Sequence, residues 1–543
     1  MHVKKVLCSI QRKIHCDFCG RIIVYFIMSV QLILIFLTQI QAVVNTDGIF
    51  SYTLANNPYD YCFIDAKYDE FPQNNGWIDA QILRENYVVE KYDRFNYAAV
   101  YHHQRYDVHP PLYYYLVHTI SSLFWGRYSI LYTMVINLTA LFVVDLLVIK
   151  LFGDIYHKKE YAAVPLMFLL LMDVMQFLYT WARMYMMLFV FCLWYLYIHW
   201  HLIKQKGFWK KTCLAQMILC IFFGTLTHYY FYVYAASLTF LMIVFLVCEQ
   251  RRHELFSYIY AGIIGIASSW IFFPWVIWHV FFNQQNKHAD IIPWSLKKLE
   301  SYFTFCNEKL FNGRIWMAAI VLAVLYMGII ILRKGRRNSE DGNHSTFVWM
   351  TLGSGILYSL IIYTLDGGVA HYLTAFYMTF IIWCSMLLID CIKNINISQK
   401  KDALTIMAAV ICVVLICSTK VVENYITNAG NVVSRTKNHV SLKNDFFRVS
   451  EDHKSYDCIF VEKEKNNLLQ NYWFEFGEYD EFKKISIEDY SQYGISEEDL
   501  NGRKTLGGVV VYAPREYLLD GENCRLLAGD GSYNIYELVN EEK

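Results

Sequence analysis

The chain is predicted to be an all-α polytopic membrane protein with a small exterior α/β domain at its C-terminus. Three observations lead there. The composition is 56% hydrophobic and only 18% charged, against roughly a quarter charged in soluble domains. About eleven apolar stretches are long enough to cross a bilayer, each needing roughly twenty residues. From about residue 421 the apolar runs give way to mixed, strand-like segments.

Residues 1–20 form a basic tail (Lys4, Lys5, Arg12, Lys13) that leads through Arg21 into an apolar run over 21–43. The run is too long for a signal-peptide core and no small-residue cleavage site comes after it, so it is a retained anchor. Further spans are predicted over 128–151, 161–180, 184–203, 212–228, 229–248, 257–281, 315–333, 346–365, 369–391 and 403–420. Lys150, Lys158 and Lys159 lie in one connection, and Lys204, Lys206, Lys210 and Lys211 in the next but one. Arg251 and Arg252, then Arg333 to Arg337, then Lys393, Lys400 and Lys401 continue that alternation. Positive residues favour the cytoplasmic side, which places these connections and the N-terminus inside a cell membrane.

The alternation holds only if the whole of 44–127 stays outside. Pro110–Gly126 is therefore read as a juxtamembrane or re-entrant helix, too short and too polar (His118, Ser121, Ser122) to cross. Asn75–Val89 reads as an amphipathic surface helix. The loop 44–109 far exceeds what a connection requires, and such loops are usually functional. Residues 21–420 thus form the membrane domain. Residues 421–543 form an extracellular domain with strands expected at Cys458–Glu462, Gly508–Tyr512 and Tyr533–Val539.

Other classes find little support. The net formal charge is zero, which gives no reason to expect nucleic acid. Most cysteines sit inside apolar runs, where a free thiol behaves as a small hydrophobe. Cys16 and Cys19 form a single C-x-x-C with no second pair. No inverted internal repeat of the transporter kind is visible.

The chemistry-bearing residues gather at the outer ends of the helices. Asp47 directly succeeds the first span. Asp107 and His109 close the long loop before Pro110 and Pro111, which remove backbone donors and bias His109 away from helical geometry. Arg183 lies in the turn Thr180–Tyr185, where a cation between apolar helices calls for a partner anion. His228 and His371 occupy two more outer turns. Three turns each presenting a cationic or imidazole group suit an anionic head group such as a lipid phosphate. Asp145 and Asp173 fall inside predicted spans, and intramembrane acids are functional hypotheses by default.

This pattern resembles the polyprenol-phosphate-sugar-dependent glycosyltransferases of the GT-C fold, the superfamily of the protein O-mannosyltransferases and aminoarabinose transferases. The closest look-alikes are bacterial members of the glycosyltransferase 39 type. The likeness rests on Asp47, on Asp107-Val108-His109-Pro110-Pro111-Leu112-Tyr113-Tyr114, on Ala182-Arg183-Met184-Tyr185, on Thr227-His228-Tyr229-Tyr230 and on His371-Tyr372-Leu373. It covers roughly 20–390. Gly48 stands where family members often carry a second acid, and His371 where many carry arginine.

The resemblance implies transfer of a sugar from a polyprenyl phosphate to a hydroxyl of a glycan, lipid or protein, with inversion, at the exterior face. Under it Asp47 is the catalytic base, and Arg183, His228 and His109 hold the donor phosphate with His371 as a weaker fourth. Asp107 orients His109 or a metal. No cofactor is required, although a divalent metal could be held by Asp107 and His228. A flippase of lipid-linked sugars is the alternative that Asp145 and Asp173 support. A polysaccharide polymerase or ligase would share the exterior chemistry but lack the D-V-H-P-P element.

Overall fold

The computed structural model describes residues 22–40, 46–58, 76–205, 209–282, 296–311, 313, 340–366, 369–395, 419–437, 445–462, 472–493, 495, 508–517, 524–529 and 533–538. The expected spans 315–333 and 403–420 and the Cys16–Cys19 motif lie outside these residues. Helix dominates the first four hundred positions. Among the described residues seven helices are long and apolar enough to cross a membrane, or up to eight if one bent pair counts as a span.

The helices up to residue 311 are α1 (Ile22–Gln39), α2 (Thr46–Asn56), α3 (Gln81–Arg84), α4 (Tyr97–Tyr106), α5 (Leu112–Leu123), α6 (Leu131–Tyr156), α7 (Ala163–Leu171), α8 (Asp173–Thr180), α9 (Tyr185–Lys204), α10 (Lys211–Thr225), α11 (Tyr230–Cys248), α12 (Arg252–Phe272), α13 (Trp275–Phe281) and α14 (Leu296–Phe311). Helices Glu340–Asp366 and Thr374–Ile395 complete the described part of the bundle. Helix α5 has 12 residues and so reaches only about 18 Å, well short of a hydrocarbon core of roughly 30 Å.

Three expectations need correction. The predicted span 161–180 is broken into α7 and α8, which meet at 74°. Met172 between them has extended backbone, φ −79° and ψ 126°. Asp173 therefore opens α8 at the bend, where an acid suits the positive helix end. The predicted span 257–281 ends at Phe272, because Pro274 cannot continue the ladder and forces Phe273 out of helical geometry.

The third correction concerns Asn75–Val89. It is not one amphipathic helix: Gly76 turns the chain with φ +81°. Strand β1 (Trp77–Asp79) comes next, and then the single turn α3. The pattern misleads because Trp77 and Ile78 are both buried, each on a different face of a strand whose partner lies four hundred residues away.

That partner belongs to the C-terminal sheet. Its strands are β2 (Asp457–Glu462), β3 (Glu481–Ser486), β4 (Val509–Pro514), β5 (Cys524–Gly529) and β6 (Tyr533–Leu538), and with β1 the order is β1-β3-β2-β4-β6-β5. Strand β2 runs parallel to both β3 and β4, whereas β1, β6 and β5 join antiparallel. The three strands expected from sequence are β2, β4 and β6, within two residues at each end. Strands β3 and β5 carry no clear strand signal, being charged and half-exposed.

The loop after α2 and the sheet domain are thus joined. The buried Glu478 accepts from Arg84 at 2.6 Å and from Lys454 at 2.8 Å. Tyr128 stacks on Phe474 at 4.1 Å between centroids. Tyr87 donates to the Phe474 carbonyl at 3.2 Å, and it lies so close to Gly477 that a Cβ there would strike its ring. Helix Thr419–Lys437 instead docks on the bundle, with Tyr425 donating to the Leu170 carbonyl at 3.2 Å.

At the far end of α9 one of the loop cations has a structural task. Arg251 donates to the carbonyls of Leu202, Ile203 and Gln205, closing the C-terminus of α9.

Candidate functional site

Four backbone turns meet at one end of the bundle and bring together residues far apart in sequence. Asp47 lies in the first turn of α2. The turn after α8 presents Arg183, and Asn137 holds that turn by donating to the carbonyls of Tyr179 at 3.1 Å and Trp181 at 2.7 Å. The partner anion that an outer-turn arginine calls for is Asp47: Arg183 Nη2 lies 3.0 Å from Asp47 Oδ1. The other terminal nitrogen, Nη1, donates to Tyr114 Oη at 2.9 Å. The Arg183 side chain is 8% exposed and that of Asp47 39%. One partner is therefore anchored in protein while the other is partly exposed to solvent. A guanidinium has further N–H groups beyond these two bonds.

Asp107 caps the C-terminus of α4 and grips the next element. Its Oδ2 accepts from His109 Nδ1 at 2.8 Å and from the His109 backbone N–H at 3.2 Å. Burial pushes the Asp107 carboxyl up, but His109 and then Arg183 outweigh it and hold it below its ordinary value. The two prolines position the start of α5. With no proton on Pro110 or Pro111, the first free donor of α5 is Leu112 N–H, which reaches the Leu226 carbonyl at 3.0 Å. That bond pins the Asp107–His109 corner to the turn carrying His228.

His228 is buried, and its ring centroid lies 6.0 Å from that of His109. The Tyr230 backbone N–H donates to His228 Nδ1 at 3.1 Å, so the proton of the neutral ring sits on Nε2. Among the described residues Nε2 is buried with no hydrogen-bond partner. Burial, aided by the charges of His109, His371 and Arg183, holds the His228 pKa well below its ordinary value. His228 is thus a neutral N–H donor, one of the cationic or imidazole groups expected at these turns.

His371 sits in the short helix Ala370–Leu373. Its ring is boxed by Tyr372 at 4.4 Å, Tyr185 at 4.6 Å, Trp181 at 5.0 Å and Phe177 at 5.9 Å. Tyr185 also contacts His228 at 5.5 Å. One continuous aromatic wall therefore joins the Arg183, His228 and His371 turns.

The arrangement offers a solvent-facing carboxylate, a buried cation beside it, a neutral donor and a carboxylate–imidazole pair, all at one end of an apolar bundle. Among the described residues no three His, Cys, Asp or Glu side chains converge as metal ligands. Of Asp107 and His228, the pair that could hold a metal, Asp107 Oδ2 accepts from His109 and His228 Nδ1 accepts from the Tyr230 amide. Asp145 is apart from the cluster, buried in α6 with both carboxylate oxygens lacking a hydrogen-bond partner among the described residues.

No family model matches the chain, and no curated protein matches it. Among solved structures it is similar to ArnT from Cupriavidus metallidurans bound to undecaprenyl phosphate, at 8% identity and a TM-score of 0.48, covering 95% of this chain and 98% of that one. The apo state of the same protein gives 10% identity and a TM-score of 0.37, covering 95% and 97%.

Two site residues lie inside the motifs quoted from the sequence but receive no role there. Tyr114 stands in a run of three tyrosines whose side chains leave α5 about 100° apart, and nothing local marks which of them meets Arg183. Tyr185 belongs to the Ala182-Arg183-Met184-Tyr185 element, where the sequence assigns it no role. It is the ring that connects His228 to His371.

Proposed function

We propose that the chain is a membrane glycosyltransferase that moves a sugar from a polyprenyl-phosphate donor to an acceptor hydroxyl, with inversion, at the exterior face. The observation that carries this reading is the Asp47–Arg183 pair, in which an open carboxylate adjoins a buried, protein-anchored cation. Asp47 accepts the proton of the acceptor hydroxyl as its oxygen bonds to the anomeric carbon. The bond from that carbon to the lipid phosphate breaks, and the phosphate leaves with the electron pair. Arg183 and the Nε2–H of His228 stabilise the charge that collects on the departing oxygen. Asp107 fixes His109 toward the same phosphate, with His371 behind it.

Incubation of the purified protein with radiolabelled polyprenyl-phosphate sugars and envelope glycan, lipid or protein acceptors tests the reading. Transfer of label to an acceptor is the expected result; intact donor with every acceptor overturns it. A flippase reading draws on Asp145 alone, since Asp173 opens α8 at the bend.

The proposed orientation has the N-terminus inside and residues 44–127 and 421–543 outside. On a cysteine-free background, a membrane-impermeant thiol reagent applied from outside should label a single cysteine at Arg515 and miss one at Glu249. Both positions are exposed. The reverse labelling pattern ends this topology.

A further inference from the structure

The break between α12 and α13 has a consequence at the site. His279, 1% exposed, lies on α13. Its Nε2 is 2.9 Å from the Arg105 carbonyl oxygen and its Nδ1 is 2.6 Å from Tyr229 Oη. A carbonyl can only accept, so Nε2 carries the proton and Nδ1 accepts from the tyrosine hydroxyl. One neutral imidazole satisfies both bonds.

The two partners are what give this contact its meaning. Arg105 is two residues before Asp107, on the stretch of chain that ends in His109. Tyr229 is the residue directly after His228. A single ring therefore ties the corner holding Asp107 and His109 to the turn holding His228, adding a side-chain link to the Leu112–Leu226 backbone bond. The Arg105 guanidinium lies over the Trp275 ring at 4.4 Å, a second hold of α13 on the same corner. Val276 and Phe273 pack with Leu226 in one apolar cluster.

We infer that His279 is a positioning residue, which acts through Tyr229 and the Arg105 carbonyl to set the spacing between His109 and His228. This rests on the proposed reading of those two as donor-phosphate groups. An apolar ring of similar size would fill the space but leave the Arg105 carbonyl and the Tyr229 hydroxyl without this partner. Glutamine would keep the order of donor and acceptor, its amide N–H toward Arg105 and its amide oxygen toward Tyr229.

Undecaprenyl phosphate is the probe, titrated into the full-length protein in lipid nanodiscs and followed by intrinsic tryptophan fluorescence, alongside each variant's unfolding temperature. His279→Phe should weaken binding about tenfold, the worth of roughly one well-placed hydrogen bond. His279→Gln should recover most of that loss. Tyr229→Phe should weaken binding to a similar degree, and the Tyr229→Phe/His279→Phe double variant should be little worse than either single one, because both remove the same link. Should His279→Phe fold poorly, the Gln and Tyr229→Phe arms decide the matter. Wild-type binding in His279→Phe and Tyr229→Phe, or a Gln variant as weak as Phe, overturns the clasp while the donor reading stands. Wild-type protein that ignores undecaprenyl phosphate takes down the donor reading, and the clasp with it.

Discussion

Asp47→Asn is expected to slow the proposed sugar transfer by roughly a hundredfold or more while donor binding survives. Asparagine preserves the size of the side chain, and its amide oxygen can still accept from Arg183 Nη2, the contact that Asp47 Oδ1 makes at 3.0 Å. What it cannot do is take a proton from an attacking hydroxyl. The Asp47 side chain keeps 39% exposure, so the substitution disturbs little packing and its effect belongs to the chemical step. Single-turnover transfer measured beside donor binding separates the two contributions.

Asp107 is the competitor for this role, and its environment argues against it. Its Oδ2 is held by both His109 donors. After the upward push of burial, His109 and Arg183 leave its pKa below the ordinary value. Such a carboxylate is a weaker base at neutral pH. Asp107→Asn should therefore harm transfer by releasing His109. Near-normal transfer in Asp47→Asn beside an inactive Asp107→Asn would pass the base role to Asp107.

Much of this architecture is legible in the sequence because the membrane imposes strong local rules. Apolar length locates α1, α6, α9 and α11, and it sets apart α5, whose 12 residues are too few to span a hydrocarbon core. The failures are of two physical kinds. Breaks inside apolar stretches depend on single residues: Pro274 is readable as a helix stop, but Met172, where the chain bends by 74°, carries no breaker signal. Long-range pairing is invisible locally, so β1 reads as helix although Trp77 and Ile78 complete a sheet formed near the other end of the chain.

The site shows the same division. One cation between two apolar helices is enough to say that Arg183 needs an anion, but the identity of that anion needs the fold. The charge of His228 cannot be read from sequence at all, because it is decided by burial and by which ring nitrogen the Tyr230 amide occupies. His279 is outside every motif. Its partners are a backbone carbonyl and a hydroxyl, neither of which leaves a spacing to recognise.

Arg183→Ala should lower the specificity constant for transfer on the order of a thousandfold, the scale on which removal of a positioned cation or donor acts on a charged transition state. An arginine in an exposed turn could be removed with the fold untouched, but Arg183 is 8% exposed and joins Asp47 to Tyr114. Alanine leaves the Tyr114 hydroxyl without that donor and Asp47 without its cation. Some loss of unfolding temperature must therefore accompany the kinetic loss, and both have to be measured. Tyr114→Phe separates them: it removes one bond to Arg183 and keeps the cation, so any stability cost should come with a much smaller kinetic one. Arg183→Lys restores the charge but has a single nitrogen to serve Asp47, Tyr114 and an incoming phosphate. It should recover only part of the activity, chiefly in donor KM, because a point charge attracts the phosphate without holding Asp47 in line. Wild-type turnover and donor KM in Arg183→Ala would remove Arg183 from the phosphate site, leaving it a strut between α2 and α5.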